Sequence, residues 1–332
     1  MATTRSTSTR CLLAVLAAAL VTAVDAPSGR STEAPHSIRT LTIHYTAHNG
    51  ADRLATVVLP AWYGPRNNPP LPVVLSPHGR GATGRSNAKF FDTLPAVGGF
   101  AVISPDGMGR QLKNFSYGYQ GQIDDLAKMP ALARKALPWL RIDRSRIYAL
   151  GSSMGGQETL LLVARHPRLL AGAAAMDSVT DLSRRYRQLP SVPCDTACLK
   201  RWGKPFGVVL QSTMAREVGG TPQQMAAAYA ARSGLSQARK IAFSGVPLQI
   251  WWSTQDRIVS DQSHQSKALF DAVRRINPSA PVSAYIGRWQ HSKEMRASQL
   301  LPIALSQFGL LPPAVKALPE SVQHEPEAAS AR

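Results

Sequence analysis

Only three of the 332 residues are cysteine, too few for a disulfide scaffold to stand in for a hydrophobic core. Acidic residues are scarce as well: 20 Asp and Glu face 38 Lys and Arg, a formal net charge of +18. Long apolar runs are missing. The single candidate, from Cys11 to Val24, falls short of the roughly 20 residues a membrane helix needs. The 24 Gly and 25 Pro follow no repeat, which excludes collagen-like and solenoid architectures. What remains is ordinary globular composition, 44% hydrophobic and 17% charged, in a chain long enough to bury a large core.

The ends differ from the middle. Residues 1–26 read as an export signal, with Arg5 and Arg10 ahead of the apolar run and Val24-Asp25-Ala26 as the cleavage site. Cleavage would leave Cys194 and Cys198 as the only thiols of a secreted or extracytoplasmic protein. A bond between them is expected there. Residues 27–37 form a polar linker and 312–332 a flexible Pro, Ala and Glu-containing tail. The excess of basic charge raises an anionic polymer as a partner. It is spread singly, however, and its densest cluster is only Arg184, Arg185 and Arg187. A solubilising surface is the plainer reading, and no specific nucleic-acid site stands out.

Residues 38–311 alternate β and α patterns, which specifies an α/β fold with a mainly parallel sheet of about eight strands flanked by helices. Ile38–Tyr45 and Leu54–Leu59 flank a turn at His48-Asn49-Gly50. Apolar runs then follow at 71–75, 100–104, 146–150, 170–176, 247–252 and 282–286, each of the kind buried on both faces. Helices fit 123–137, 154–165, 261–276 and 292–308. Residues 182–245 break the alternation and read as an inserted lid.

Chemistry concentrates at the C-terminal ends of these strands, where open α/β sheets place their sites. Gly151-Ser152-Ser153-Met154-Gly155 lies between a strand and a helix. A serine at such a sharp turn projects its hydroxyl beside a helix N-terminus. Ser153 is therefore the expected nucleophile, and the Met154 amide an expected oxyanion donor. The His78-Gly79 turn after strand three offers the second, the Arg80 amide, with Gly81 next; His78 itself reads as a turn-shaping residue. A serine needs a base, and the base needs an orienting carboxylate. Asp256 and His291 each follow a strand in the order Ser, Asp, His. Asp177, ending the strand at 170–176, is the competing acid, while Asp261 is expected to cap the next helix. The other histidines read as packing or surface residues.

These motifs, with Asp143-Arg144-Ser145-Arg146-Ile147 leading into the nucleophile strand, resemble the α/β-hydrolase superfamily. Within it the resemblance is closest to the catalytic domain of prolyl-oligopeptidase-like serine hydrolases. It implies acyl transfer through a Ser153–His291–Asp256 triad, with the Arg80 and Met154 amides receiving the oxyanion. Peptidases of that group carry an N-terminal β-propeller, whereas only residues 27–37 precede the first strand here once the signal is removed. Carboxylic esters are the expected substrates. Short peptides are the alternative, and an inactive scaffold binding anionic polymers is an alternative of another class. Tyr117, Tyr119, Trp252 and Trp289 are candidate pocket aromatics. No metal-ligand or nucleotide-loop spacing is present, so neither metal nor cofactor is expected.

Overall fold

The computed structural model describes residues 36–313 and 317–326, so the export-signal reading and most of the linker lie outside the described residues. The chain runs β1 (Ile38–Thr46), β2 (Asp52–Pro60), β3 (Leu71–Leu75), α1 (Gly84–Ala88), α2 (Leu94–Gly98), β4 (Ala101–Pro105), α3 (Gln120–Ala136), β5 (Ile142–Ser152), α4 (Met154–Arg165) and β6 (Gly172–Met176). After β6 come α5 (Leu182–Gln188), α6 (Thr196–Trp202), α7 (Phe206–Val218), α8 (Ala226–Ala231) and α9 (Ala238–Ala242). The chain closes with β7 (Leu248–Ser253), α10 (Ser266–Ile276), β8 (Val282–Gly287), α11 (Leu301–Gln307) and β9 (Gln323–Glu325). The nine strands form one sheet in the order β1-β2-β4-β3-β5-β6-β7-β8-β9. β3 to β8 run parallel, and β1, β2 and β9 add antiparallel edges.

Strand alternation sorts side chains to the two faces. Val73, Leu75 and Ile103 pack with α3, α4 and α10, whereas Val74 and Val102 pack with Phe91 and α11. A third cluster unites Leu182, Leu189, Leu210 and Met214 of the insert with Tyr117 and Val179, giving the insert a small core of its own over the sheet edge.

Three differences from the sequence reading have local causes. The helix expected over 292–308 begins only at Leu301, where Pro302 occupies the first turn; a missing N–H costs nothing at that position. The helix expected from Asp261 begins at Ser266. Asp261 makes no cap bond; its carboxylate instead binds Arg184 Nε and Gln188 Nε2 of the insert, each at 2.6 Å. Third, residues 323–325, placed in the tail by sequence, pair with β8, and His324 stacks on Tyr285 with ring centres 4.5 Å apart.

Candidate active site

β5 ends at Ser152 and α4 starts at Met154, leaving Ser153 between them with φ 60° and ψ −121°. That conformation is costly for a residue with a side chain and persists only where the surroundings hold it. The glycines around it are required by close approach: a Cβ at Gly155 would collide with the Pro77 carbonyl oxygen, and one at Gly151 with the Gly155 carbonyl oxygen. The Ser153 N–H is fixed to Met176 O at 2.9 Å. Met154, as the first helical residue, has an N–H without an intrahelical acceptor.

The loops after β7 and β8 bring Asp256 and His291 together, with Asp256 Oδ2 and His291 Nδ1 2.7 Å apart. Asp256 Oδ1 also accepts the N–H groups of Ile258 and Val259 at 2.8 and 2.9 Å. Burial pushes its carboxyl up, but the His291 hydrogen bond and charge, together with those two N–H donors, outweigh it and hold the group below the usual range. Asp256 is therefore a carboxylate at neutral pH, His291 carries its proton on Nδ1, and Nε2 is left for a substrate or nucleophile.

Asp177 lies behind this pair. Atoms of Asp177, Asp256 and His291 fall within 4.8 Å of one another, yet the surroundings are those of hydrogen-bonded anions rather than of a cation. Asp177 accepts from Ser253 N (2.9 Å), Trp289 Nε1 (3.0 Å) and Ser292 N (2.8 Å). Two of these donors flank His291, so Asp177 anchors the loop that presents the imidazole. Its own carboxyl is raised, chiefly by burial and next by the Asp256 charge. Buried Glu294 sits against it. Burial, and then the Asp177 charge, push the Glu294 carboxyl well above its ordinary value. Glu294 had no signal in the sequence, where it is one acid in a polar stretch.

The turn after β3 is held by His78, whose Nδ1 donates to Gly79 O (2.7 Å) and whose Nε2 accepts from Gly107 N (2.6 Å). Burial lowers its pKa, and both ring nitrogens are occupied, so His78 is a neutral brace. The Gly81 N–H is taken by Asn114 O at 2.8 Å, whereas that of Arg80 has no acceptor among the described residues.

Two depressions adjoin the site. A cleft of about 870 Å³ is lined by Asp256, Trp289 and His291 together with Ser191 and Pro193 of the insert. A much smaller pocket contains Ser153 and Met154, walled by Arg80, Tyr117 and Arg185. Tyr117 and Trp289 thus border the site. Tyr119 and Trp252 do not: Tyr119 packs on His48 and under the Arg232 guanidinium, and Trp252 is buried against Phe270 of α10, on the core-facing side dictated by strand alternation.

The insert carries the Cys194–Cys198 disulfide, with Cα atoms 5.2 Å apart. Cys194 precedes α6 rather than lying within it. Asp195 caps the helix through Cys198 N at 2.8 Å, which folds the chain back on itself. Glu217 of α7, unremarked in the sequence, accepts from the N–H groups of Arg110, Gln111 and Leu112 at 2.5, 2.8 and 3.0 Å. It thereby ties the insert to the loop after β4. Among the described residues no helix is long and apolar enough to cross a membrane.

Residues 89–205 match the prolyl oligopeptidase family. Among solved structures, the chain is similar to an acylaminoacyl peptidase from Pyrococcus horikoshii (15% identity, TM-score 0.62, 85% of this chain and 43% of that one). It is also similar to an S-formylglutathione hydrolase from Staphylococcus aureus (17%, 0.56, 82% and 99%) and to dipeptidyl peptidase 4 from Porphyromonas gingivalis (19%, 0.57, 81% and 35%). The chain therefore spans less than half of these two peptidases but nearly all of the formylglutathione hydrolase. Taken with the strand order and the serine turn, the chain has the α/β-hydrolase fold and is similar over residues 89–205 to the prolyl oligopeptidase family.

Proposed function

We propose that the protein is an exported hydrolase of carboxylic esters acting through a Ser153–His291–Asp256 triad. The observation that carries this reading is the 2.7 Å bond from His291 Nδ1 to the buried Asp256 carboxylate, made on loops at the same sheet edge as the Ser153 turn. Ser153 Oγ attacks the ester carbonyl while His291 Nε2 takes its proton. The oxyanion is received by the Met154 and Arg80 amides, and the protonated imidazole then gives its proton to the departing alkoxide. Water enters by the same route in reverse, with His291 as base, and releases the acid. Asp256 stays ionised throughout and holds the imidazole in the required tautomer. The export signal at 1–26 and the Cys194–Cys198 disulfide support an extracytoplasmic location, since such bonds persist in oxidising compartments.

Esters are favoured over peptides by the character of the serine pocket. Recognition of a peptide α-amine calls for free carboxylates, and the pocket is walled by two arginines instead. The nearby Glu217 is engaged by three N–H groups and by Arg232. A serine peptidase acting on short peptides is the second reading, favoured by the family match over 89–205. A panel of p-nitrophenyl esters and aminoacyl p-nitroanilides, each run with Ser153→Ala as control, separates the two. Ester kcat/KM at least about tenfold above the anilides is expected; anilides cleaved faster would overturn the ester assignment.

A further inference from the structure

The pocket at Ser153 contains two guanidinium groups and no acid. Arg185, on α5, is 3% exposed and its Nη1 has no hydrogen-bond partner. Neither Arg185 nor Arg80 has a carboxylate within 4.0 Å among the described residues. The neighbouring basic residue shows the contrast. Arg184, one position earlier, points the other way and is satisfied by Asp261 at 2.5 Å. The acid nearest in effect to Arg185 is Asp256, already bound to His291.

Burying a cation without a counter-ion is unfavourable, and the charge of half-buried Arg80, whose guanidinium stacks on the Phe206 ring at 5.5 Å from its centre, adds to the cost. Burial, and then the charge of Arg80, lower Arg185 to about 10, so both stay cationic at neutral pH. A structure that keeps this arrangement beside its nucleophile is completed by an anion. Arginine, with planar paired donors, suits a carboxylate.

Position assigns the anion to one side of the scissile bond. His291, which must protonate the leaving group, lines the large cleft. The arginine pocket is shared instead with Ser153 and Met154 on the oxyanion side. Its free volume, about 20 Å³, admits a compact group rather than a long alkyl chain. We infer that Arg80 and Arg185 form an anion subsite for a carboxylate on the acyl part of the substrate, so that the preferred substrates are hemiesters of short dicarboxylic acids. This rests on the ester reading above.

The test compares p-nitrophenyl hemiglutarate with p-nitrophenyl valerate, of equal chain length, after subtraction of spontaneous hydrolysis. The wild-type protein should favour the hemiester by at least about tenfold in kcat/KM. Arg185→Met should remove that preference, lowering kcat/KM for the hemiester at least about tenfold more than for valerate, mainly through KM. Arg185→Lys, which keeps the charge but not the fork, should fall between. Should both variants misfold, the wild type alone decides: glutarate should inhibit valerate hydrolysis competitively at concentrations where valeramide does not. Valerate turned over as well as the hemiester, with glutarate no better than valeramide, would overturn the subsite and leave the ester reading standing. If neither ester is hydrolysed, the ester reading fails. The subsite is then judged by fluorophosphonate labelling of Ser153, which glutarate should slow in the wild type; no slowing overturns the subsite.

Discussion

Ser152 Oγ donates to Ser292 Oγ at 2.6 Å, so the residue before Ser153 is bonded to the residue after His291. Ser292 has φ 59°, and its N–H is held in turn by Asp177. One short chain of contacts therefore runs from the serine turn through the histidine loop to the floor of the site. It fixes the two loops against each other without using either reacting group.

The first prediction separates the adjacent serines. Ser153→Ala should lower kcat on any ester by roughly 10⁴- to 10⁶-fold, since triad members act as a unit. Ser152→Ala removes only the contact to Ser292 and should cost about tenfold or less. Steady-state kinetics on both variants, with circular dichroism to verify folding, checks this.

A second concerns the two aspartates. Asn at 256 can leave the imidazole in the wrong tautomer, a change worth about 10⁴ in kcat in a serine protease. Asn at 177 keeps one acceptor oxygen for the N–H groups of Ser253, Trp289 and Ser292, and should cost about 10- to 100-fold by loosening the histidine loop. The reverse order in measured kcat would make Asp177 the orienting acid.

How much of this was legible in the sequence differs by residue. β3 and α4 have the ends read from the sequence, because β3 is a closed apolar run and α4 starts at a glycine-flanked serine and stops before Pro167. Ser153, Asp256 and His291 each stand just past a strand end, where a turn leaves a local signature in the sequence. Arg185 was hidden within a basic cluster that reads as surface; only the helical phase of α5, which sends Arg184 to Asp261 and Arg185 inward, separates them. The Asp177–Glu294 contact joins residues far apart in the chain, and no local pattern announces such a pair. β9 escaped because its three residues are exposed and carry no apolar alternation. Trp252 is close to Asp256 in sequence but not in the site, because alternate strand residues face opposite sides and Trp252 lies on the face packed against Phe270.

Third, stability should depend on pH through Glu158. Burial raises this carboxyl from 4.5 to about 8, against hydrogen bonds from Ser116 and Gln122. The folded state thus holds a proton that the unfolded chain releases above its own pKa near 4.5. The stabilising linkage is complete below pH 4.5 and is lost as pH rises toward 8, at about 1.4 kcal/mol per pH unit in between. Glu158→Gln, which cannot ionise, should therefore gain in Tm relative to the wild type between pH 5 and 8, by on the order of 5 °C or more at the upper end. A pH series of thermal melts reads the difference, and a constant offset would contradict it.

A fourth addresses the disulfide. A five-residue loop contributes only about 2 kcal/mol by the chain-entropy estimate. Ser191 and Pro193, immediately before Cys194, line the cleft beside His291. Reductant should consequently raise KM for esters more than it lowers Tm. Alkylation followed by mass spectrometry reports whether both thiols were bonded beforehand.

The most direct test of the central claim is to label the protein with a fluorophosphonate, digest it, and locate the adduct by mass spectrometry. An activated serine at the β5–α4 turn predicts a single phosphonylated peptide with the adduct on Ser153, lost in His291→Ala. An adduct on Ser152, or no adduct on folded protein, would contradict the account.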